Sequence, residues 1–280
     1  MTGSRLHADE LDGETMIGEV RVDKDDYLAS AEDEIVVPLP DSLPDDVCAA
    51  LVSGDLSTFP SLGPAPSLQM TIGSEGPVTV TLARKPNNLA EAAVLMQAGI
   101  RRAANGRAAF SGARVGVAGK QLVIVPGGLR AATAFQTAAT ATDLRLTPAR
   151  GATSRTGYLS GALADLPLQF PATPTMTASL AGTSHEVALT SSPTDAKHAA
   201  ESLETALRAA GPQPAFSNAR VAALGTQLFV LPGTAGAISF TSTSDDDQTV
   251  ALLQLRARYS VRVRVHGLEN IDRRNVVLPR

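Results

Sequence analysis

The sequence predicts an α+β fold: two tandem ββ-α-ββ-β modules, each a helix on a small antiparallel sheet, flanked by β-sandwich strands. Three observations predict it. A stretch of text occurs twice, apolar residues alternate with period two around Gly/Pro turns, and each copy holds one stripe of helical period. Ala109-Phe110-Ser111-Gly112-Ala113-Arg114-Val115 returns as Ala215-Phe216-Ser217-Asn218-Ala219-Arg220-Val221. In the same register, Gly119-Lys120-Gln121-Leu122-Val123-Ile124-Val125-Pro126-Gly127 returns as Gly225-Thr226-Gln227-Leu228-Phe229-Val230-Leu231-Pro232-Gly233. Upstream, Gly54 corresponds to Gly161 and Pro64 to Pro171.

The chain divides accordingly. Residues 1–14 are polar and acidic and read as a mobile arm. Residues 15–53 alternate in strand fashion at Val20, Val22, Ile35 and Val37, and read as β-sandwich strands. Module 1 covers 54–150. It opens with a hairpin in which Leu68, Met70 and Ile72 precede the turn Gly73-Ser74-Glu75-Gly76-Pro77, and Val78, Val80 and Leu82 follow it. Asn88 then offers an N-cap, and Leu89, Ala92, Ala93, Met96 and Ile100 form one helical stripe. A second hairpin turns at Gly119-Lys120. A last strand near 132–135 leads to Leu144 and Leu146.

Module 2 covers 151–256 and repeats this order. Met176, Ala178 and Leu180 face Val187 and Leu189 across Gly182-Thr183. Thr194 or Asp195 caps a helix with the stripe Ala196, Ala199, Ala200, Leu203 and Leu207, ended by Gly211-Pro212. Its last strand, near 237–240, leads to Leu253 and Leu255. Residues 257–280 hold the clearest strand, with Tyr259, Val261, Val263 and Val265 alternating against Arg262 and Arg264. Two arrangements follow: they pair with 15–53, leaving the modules as an insertion, or the flanks are separate pieces.

Composition narrows the function. Of 280 residues, 44% are apolar and 19% charged, which suffices for a buried core. Aromatics make up only 4%, without Trp, so anchors for a pocket or a sugar-stacking surface are scarce. A formal net charge of −4 does not suit a phosphate-backbone partner. The single cysteine, Cys48, rules out an intrachain disulfide and a multi-thiolate metal site. Its apolar neighbours Val47, Ala49, Ala50, Leu51 and Val52 make it a small buried hydrophobe. Neither a secretory leader nor an eighteen-residue apolar run is present, so a soluble protein without a membrane span is expected.

Several strings imitate catalytic or ligand motifs. His185-Glu186 opens like a zinc-protease helix, but Leu189 stands where the second ligand belongs, and the string lies in a predicted strand. Asp23, Asp25 and Glu34 sit at calcium-loop spacing, yet Tyr27 and Leu28 occupy the positions for a ligand and for the turn glycine. Gly119-Lys120 lacks the rest of a phosphate-binding loop. Ser160 is misplaced for a nucleophile elbow in Gly157-Tyr158-Leu159-Ser160-Gly161. His7, His185, His198 and His266 share no ligand or triad spacing. No catalytic, cofactor-binding or metal-ligating residue is therefore assigned, and no cofactor is expected. The candidate docking surface is electrostatic: the basic residues Arg256, Arg258, Arg262 and Arg264, and the acidic run Asp245, Asp246 and Asp247.

Residues 64–147 and 171–256, with the helix from Asn88 to Ile100, the strands Ala113-Arg114-Val115 and Gln121 to Val125, and the closing Leu-x-Leu, resemble small β-rich accessory modules of contractile phage tail sheath and related tail proteins. The flanks, Glu34 to Pro44 and Tyr259 to Asn270, are similar to strands in the immunoglobulin-like region of cap or tail-terminator proteins of contractile injection systems. Members of that family carry an additional N-terminal α/β domain, which this sequence does not show. The resemblance implies a non-catalytic structural component of a phage-tail-like contractile particle, whether a cap, a sheath-associated protein or a decoration protein. It would be made in the cytoplasm and built into the particle by docking to other structural subunits or to its own copies, without nucleic acid. The alternative is a surface adhesin or a carbohydrate- or ligand-binding accessory module.

Overall fold

The computed structural model describes residues 34–38, 47–104, 106–127, 131–163, 166–170, 174–190, 192–243, 249–255 and 260–264. It is a mixed α+β molecule with antiparallel sheets, and its chain divides into two units, 1–43 with 257–280 and 44–256. In the first unit, β1 (Glu34–Pro38) pairs with the last strand (Ser260–Arg264), Glu34 opposite Arg264 and Pro38 opposite Ser260. The expected mobile arm and the other flanking strands lie outside the described residues.

The second unit runs twice through nine elements in one order. The first half comprises β2 (Val47–Val52), β3 (Ser67–Ile72), β4 (Glu75–Thr81), α1 (Leu89–Ala103), α2 (Ala108–Ser111), β5 (Arg114–Ala118), β6 (Gln121–Val125), β7 (Thr133–Phe135) and α3 (Ala139–Asp143). After a 3-10 turn at Pro148–Arg150 come β8 (Thr153–Ala162), β9 (Thr175–Leu180), β10 (Thr183–Ala188) and α4 (Ala196–Ala210). These are followed by α5 (Pro214–Ser217), β11 (Arg220–Leu224), β12 (Gln227–Leu231), β13 (Ile238–Thr241) and α6 (Thr249–Leu252). The strand Ser260–Arg264 is β14.

These strands do not form one small sheet per half, as the alternation suggested. The first hairpin of each half takes that half's short last strand as its third member, giving the sheets β4-β3-β7 and β10-β9-β13. The second hairpins join a six-stranded sheet shared by both halves, in the order β11-β12-β8-β2-β6-β5. Period-two alternation identifies a strand but says nothing about its partner: β6 and β12 pair with β2 and β8 of their own halves, and β2 and β8 pair with each other across the halves. The central strand β2 also moves the boundary. The flank read as ending at 53 ends at Leu43, and Val47–Val52 belongs to the second unit.

The pairing of β2 with β8 has a particular register. Ala49 faces Thr156, Val47 faces Tyr158 and Leu51 faces Ser154. By the correspondence that matches Gly54 with Gly161, Thr156 is the counterpart of Ala49. Leu51 and Ser154 are likewise the counterparts of Tyr158 and Val47. The pair is therefore related to itself by a local two-fold axis, as in an isologous dimer interface, but within one chain.

The six-stranded sheet curls until its outer strands meet. A Cβ added to Gly116 on β5 would lie 2.5 Å from the Ala223 carbonyl oxygen on β11, so only glycine permits this approach. The enclosed face is packed by residues from all six strands, among them Cys48, Ala118, Val123, Leu159, Ala222 and Phe229. Outside it lie two further cores. One contains Leu68, Met70, Met96, Ile100, Phe110 and Leu144; the other contains Met176, Leu180, Leu203, Leu207, Phe216 and Leu253. Each long helix inserts its apolar stripe between the three-stranded and six-stranded sheets. Asn88 caps α1 and Asp195 caps α4, each side chain accepting from the third residue beyond it, at 2.9 and 2.8 Å. The text leading to the leucine pairs forms the short helices α3 and α6 and buries Leu144, Leu146, Leu253 and Leu255.

Tyr158 ties the two ends of the described second unit together. Its backbone pairs with Val47 at the start, and its hydroxyl donates to the Leu255 carbonyl at the end.

Candidate functional site

Asp245, Asp246, Asp247, Arg256 and Arg258 lie outside the described residues. Arg262 and Arg264 belong to β14, where they pair with Val36 and Glu34, and the description there is of the backbone alone. His7, His266, Asp23 and Asp25 also fall outside.

The other singled-out residues have structural partners. His185 on β10 shares a hydrogen bond of 2.9 Å with Gln213 Oε1 and stands edge-on to Phe216, centroids 4.8 Å apart. A Cβ at Gly211 would meet His185 Nε2 at 2.7 Å, so this helix-ending glycine makes room for the imidazole. His198 lies in the first turn of α4, its Nδ1 3.4 Å from the Thr194 amide nitrogen. Gly119 takes a left-handed φ of 57° in the β5–β6 turn, and Cys48 is buried. Among the described residues, no group of three His, Cys, Asp or Glu side chains is placed to hold a metal ion. No described helix is long and apolar enough to cross a membrane.

Ser160 proves to be a latch. Its Oγ donates to the Gly161 carbonyl at 2.7 Å and accepts from the Leu228 amide at 2.8 Å, while Gln227 Nε2 donates to the Ser160 carbonyl at 2.7 Å. Ser53 does the same in the first half. Its Oγ donates to Gly54 O at 2.8 Å and accepts from Leu122 N at 2.9 Å, and Gln121 Nε2 donates to Ser53 O at 2.7 Å.

The feature that sequence reasoning missed is a cleft of about 1210 Å³ between α1 and α4, over the seam where β5 meets β11. One wall carries Leu89, Ala90, Val94 and Gln97; the other carries Lys197, Glu201, Glu204 and Arg208. Val115, Gly116, Val221 and Ala223 form the floor. Val94 is 68% exposed, although its type belongs in a core, so the α1 wall presents an apolar contact to solvent. The helices brace the seam alike: Gln97 Oε1 accepts from the Val115 amide at 3.0 Å, and Glu204 Oε2 accepts from the Val221 amide at 2.9 Å.

The charges around these two braces differ. Glu204 Oε1 lies 3.3 Å from Arg220 Nη1 and 3.7 Å from Arg208 Nη1. The counterparts of those arginines are Arg114 and Arg101, beside the neutral Gln97. Arg101 Nε donates to the Ala113 carbonyl at 2.8 Å and Arg114 Nη1 to the Gly112 carbonyl at 3.1 Å. Burial, and then the Arg101 charge, pull the Arg114 guanidinium below the usual arginine range. Arg155 is pulled down in the same way, by burial and then by Arg220, and its guanidinium donates to the Pro232 carbonyl. Aligning the two copies over 89–103 and 196–210 exposes the Gln97/Glu204 difference in the sequence itself. Its meaning requires knowing that both side chains meet the same strand.

No family model matches this chain, and no curated protein matches it. Among solved structures, the flagellar cap protein FliD from Helicobacter pylori aligns over 89% of this chain and 62% of that one, with 13% identity. The chain thus spans about 62% of the length of that structure, and a TM-score of 0.26 carries no argument about fold or role.

Proposed function

We propose that this chain is a non-catalytic structural protein that works by subunit docking, as a component of a phage-tail-like contractile particle. Its second unit would descend from one duplicated module. The observation that carries the structural reading is what the polar residues common to both halves do. Ser53 and Ser160, Gln121 and Gln227, and the caps Asn88 and Asp195 all hydrogen-bond to backbone. A duplicated active site would instead retain reactive side chains facing a cavity. The particle itself is supported by the resemblance of the modules and flanks to tail-protein elements, and its partners would be other structural subunits or further copies of this chain.

Purification of particles from cells carrying a tagged full-length chain tests this. The chain should sediment with sheath or tube subunits at a fixed ratio. Recovery only as a free chain, or binding of the isolated monomer to cells or glycans, would replace the reading with that of an adhesin.

A further inference from the structure

A sheet edge is a row of backbone donors and acceptors that seeks a partner. Among the described residues of the second unit, most edges are already closed or covered. β5 and β11 meet each other at Gly116. The Ala132 and Ala237 carbonyls accept from Gly73 and Ala181, so the outward backbone belongs to Thr133 and Phe135 on β7 and to Ile238 and Phe240 on β13. All four residues are buried. That leaves β4 and β10.

These two edges differ. On β10 the Leu189 amide donates to the Pro174 carbonyl at 2.9 Å, which sets the parity of the strand. Thr183, His185 and Val187 turn their backbone toward β9, while Ser184, Glu186 and Ala188 turn theirs away, and these three are exposed. On β4 the Leu82 amide donates to the Pro66 carbonyl at 2.9 Å, which turns Pro77, Thr79 and Thr81 outward. Pro77 holds the place that Ser184 holds on β10, has no N–H to offer, and lies where the ladder to β3 is irregular. The first half thus blocks its edge, and the second half leaves a regular edge open.

We propose that two copies of this chain join at β10, edge to edge and antiparallel, so that two sheets β10-β9-β13 become one six-stranded sheet across a two-fold axis. The strand suits itself as a partner. An axis through His185 sets Ser184 opposite Glu186 of the second copy, twice, and each hydroxyl donates to a carboxylate. An axis through Glu186 would set two carboxylates face to face, and one through Val187 would set them against Ala188. β2 and β8 already pair in this two-fold manner within the chain. The inference rests on the docking reading, in which a second copy is one of the partners, and does not depend on the contractile particle.

Sedimentation equilibrium of the full-length protein tests it, and a monomer–dimer equilibrium is expected. Ser184→Pro gives β10 the residue that β4 carries at this place. It should weaken the dimer about tenfold or more while the circular dichroism spectrum stays unchanged. Should that variant not fold, hydrogen exchange of the parent decides. The Ser184 and Glu186 amides should gain protection as concentration rises, and those of Thr79 and Thr81 should not. A parent that is monomeric at every concentration overturns the proposal. So does a Ser184→Pro dimer of undiminished affinity, or fast exchange at Ser184 and Glu186 throughout. Sedimentation with particles is a separate measurement, so the dimer and the docking reading fail separately.

Discussion

Ser53 is wholly buried and makes two hydrogen bonds, one of them to the amide of Leu122 in another strand. Removing its hydroxyl leaves that amide and the Gly54 carbonyl without this partner in a dry setting. Ser53→Ala is therefore expected to lower stability by about 1–3 kcal/mol in urea denaturation. Ser160→Ala, in the matching position, should cost the same to within the accuracy of the fit. The alternating residues Leu68, Met70 and Ile72 were readable as core because their pattern is local, and all three are buried. The role of Ser53 was not readable, since its partner is 69 residues away and nothing local sets it apart from a loop serine. The same limit hid the cleft. Val94 looked like an ordinary helix residue until its neighbours in space were known.

The two long helices were legible as elements, with their stripes and caps, because helical period and capping are both short-range signals. Asn88→Ala should destabilise by about 1 kcal/mol through loss of the Glu91 amide contact, measurable as a shift in the denaturation midpoint. The first turn of α1 also carries a pH signature. The Asn87 amide donates to the Glu91 carboxylate, and with Arg84 beside it this holds the Glu91 carboxyl below the ordinary glutamate range. A folded value below the unfolded one gives stability that is present above the ordinary glutamate pKa and lost as pH falls through the lowered value. Glu91→Gln should thus be less stable than the parent at pH 7, and the difference should shrink as pH falls through the lowered value, checked by urea denaturation over a pH series. Strands β2 and β8 were missed as a pair, because neither shows clean period-two alternation: β2 is apolar throughout, and β8 is exposed at Thr153, Ser154 and Thr156 but buried from Gly157 to Ser160. Gly116→Val should pry β5 from β11, since its side chain has no space beside the Ala223 carbonyl. A cost of about 1–3 kcal/mol is expected, with faster hydrogen exchange along both strands.

Across the molecule, duplication was legible as text, but the way the halves join was not. The register centred on Ala49 and Thr156 is a property of three-dimensional pairing, and tandem repeats could equally have folded as separate beads. Because the enclosed core draws on both halves, they should unfold together. Phe229→Ala is expected to cost about 3–5 kcal/mol, and pulsed hydrogen exchange should show β3 and β9 losing protection in one step. Separate steps for the two halves would contradict this. Tyr158 has a further effect on how such a chain can change over generations. Since one residue meets both the first described strand and the last described residue of the second unit, these lie within a tyrosine's reach of one another. Loop-closure entropy grows only slowly with the length enclosed. A host strand pair such as β1 and β14 can therefore accept a longer cassette, a third copy or none at all with its own register preserved. Diversity among proteins of this design is expected to appear as gain and loss of whole cassettes between invariant flanks.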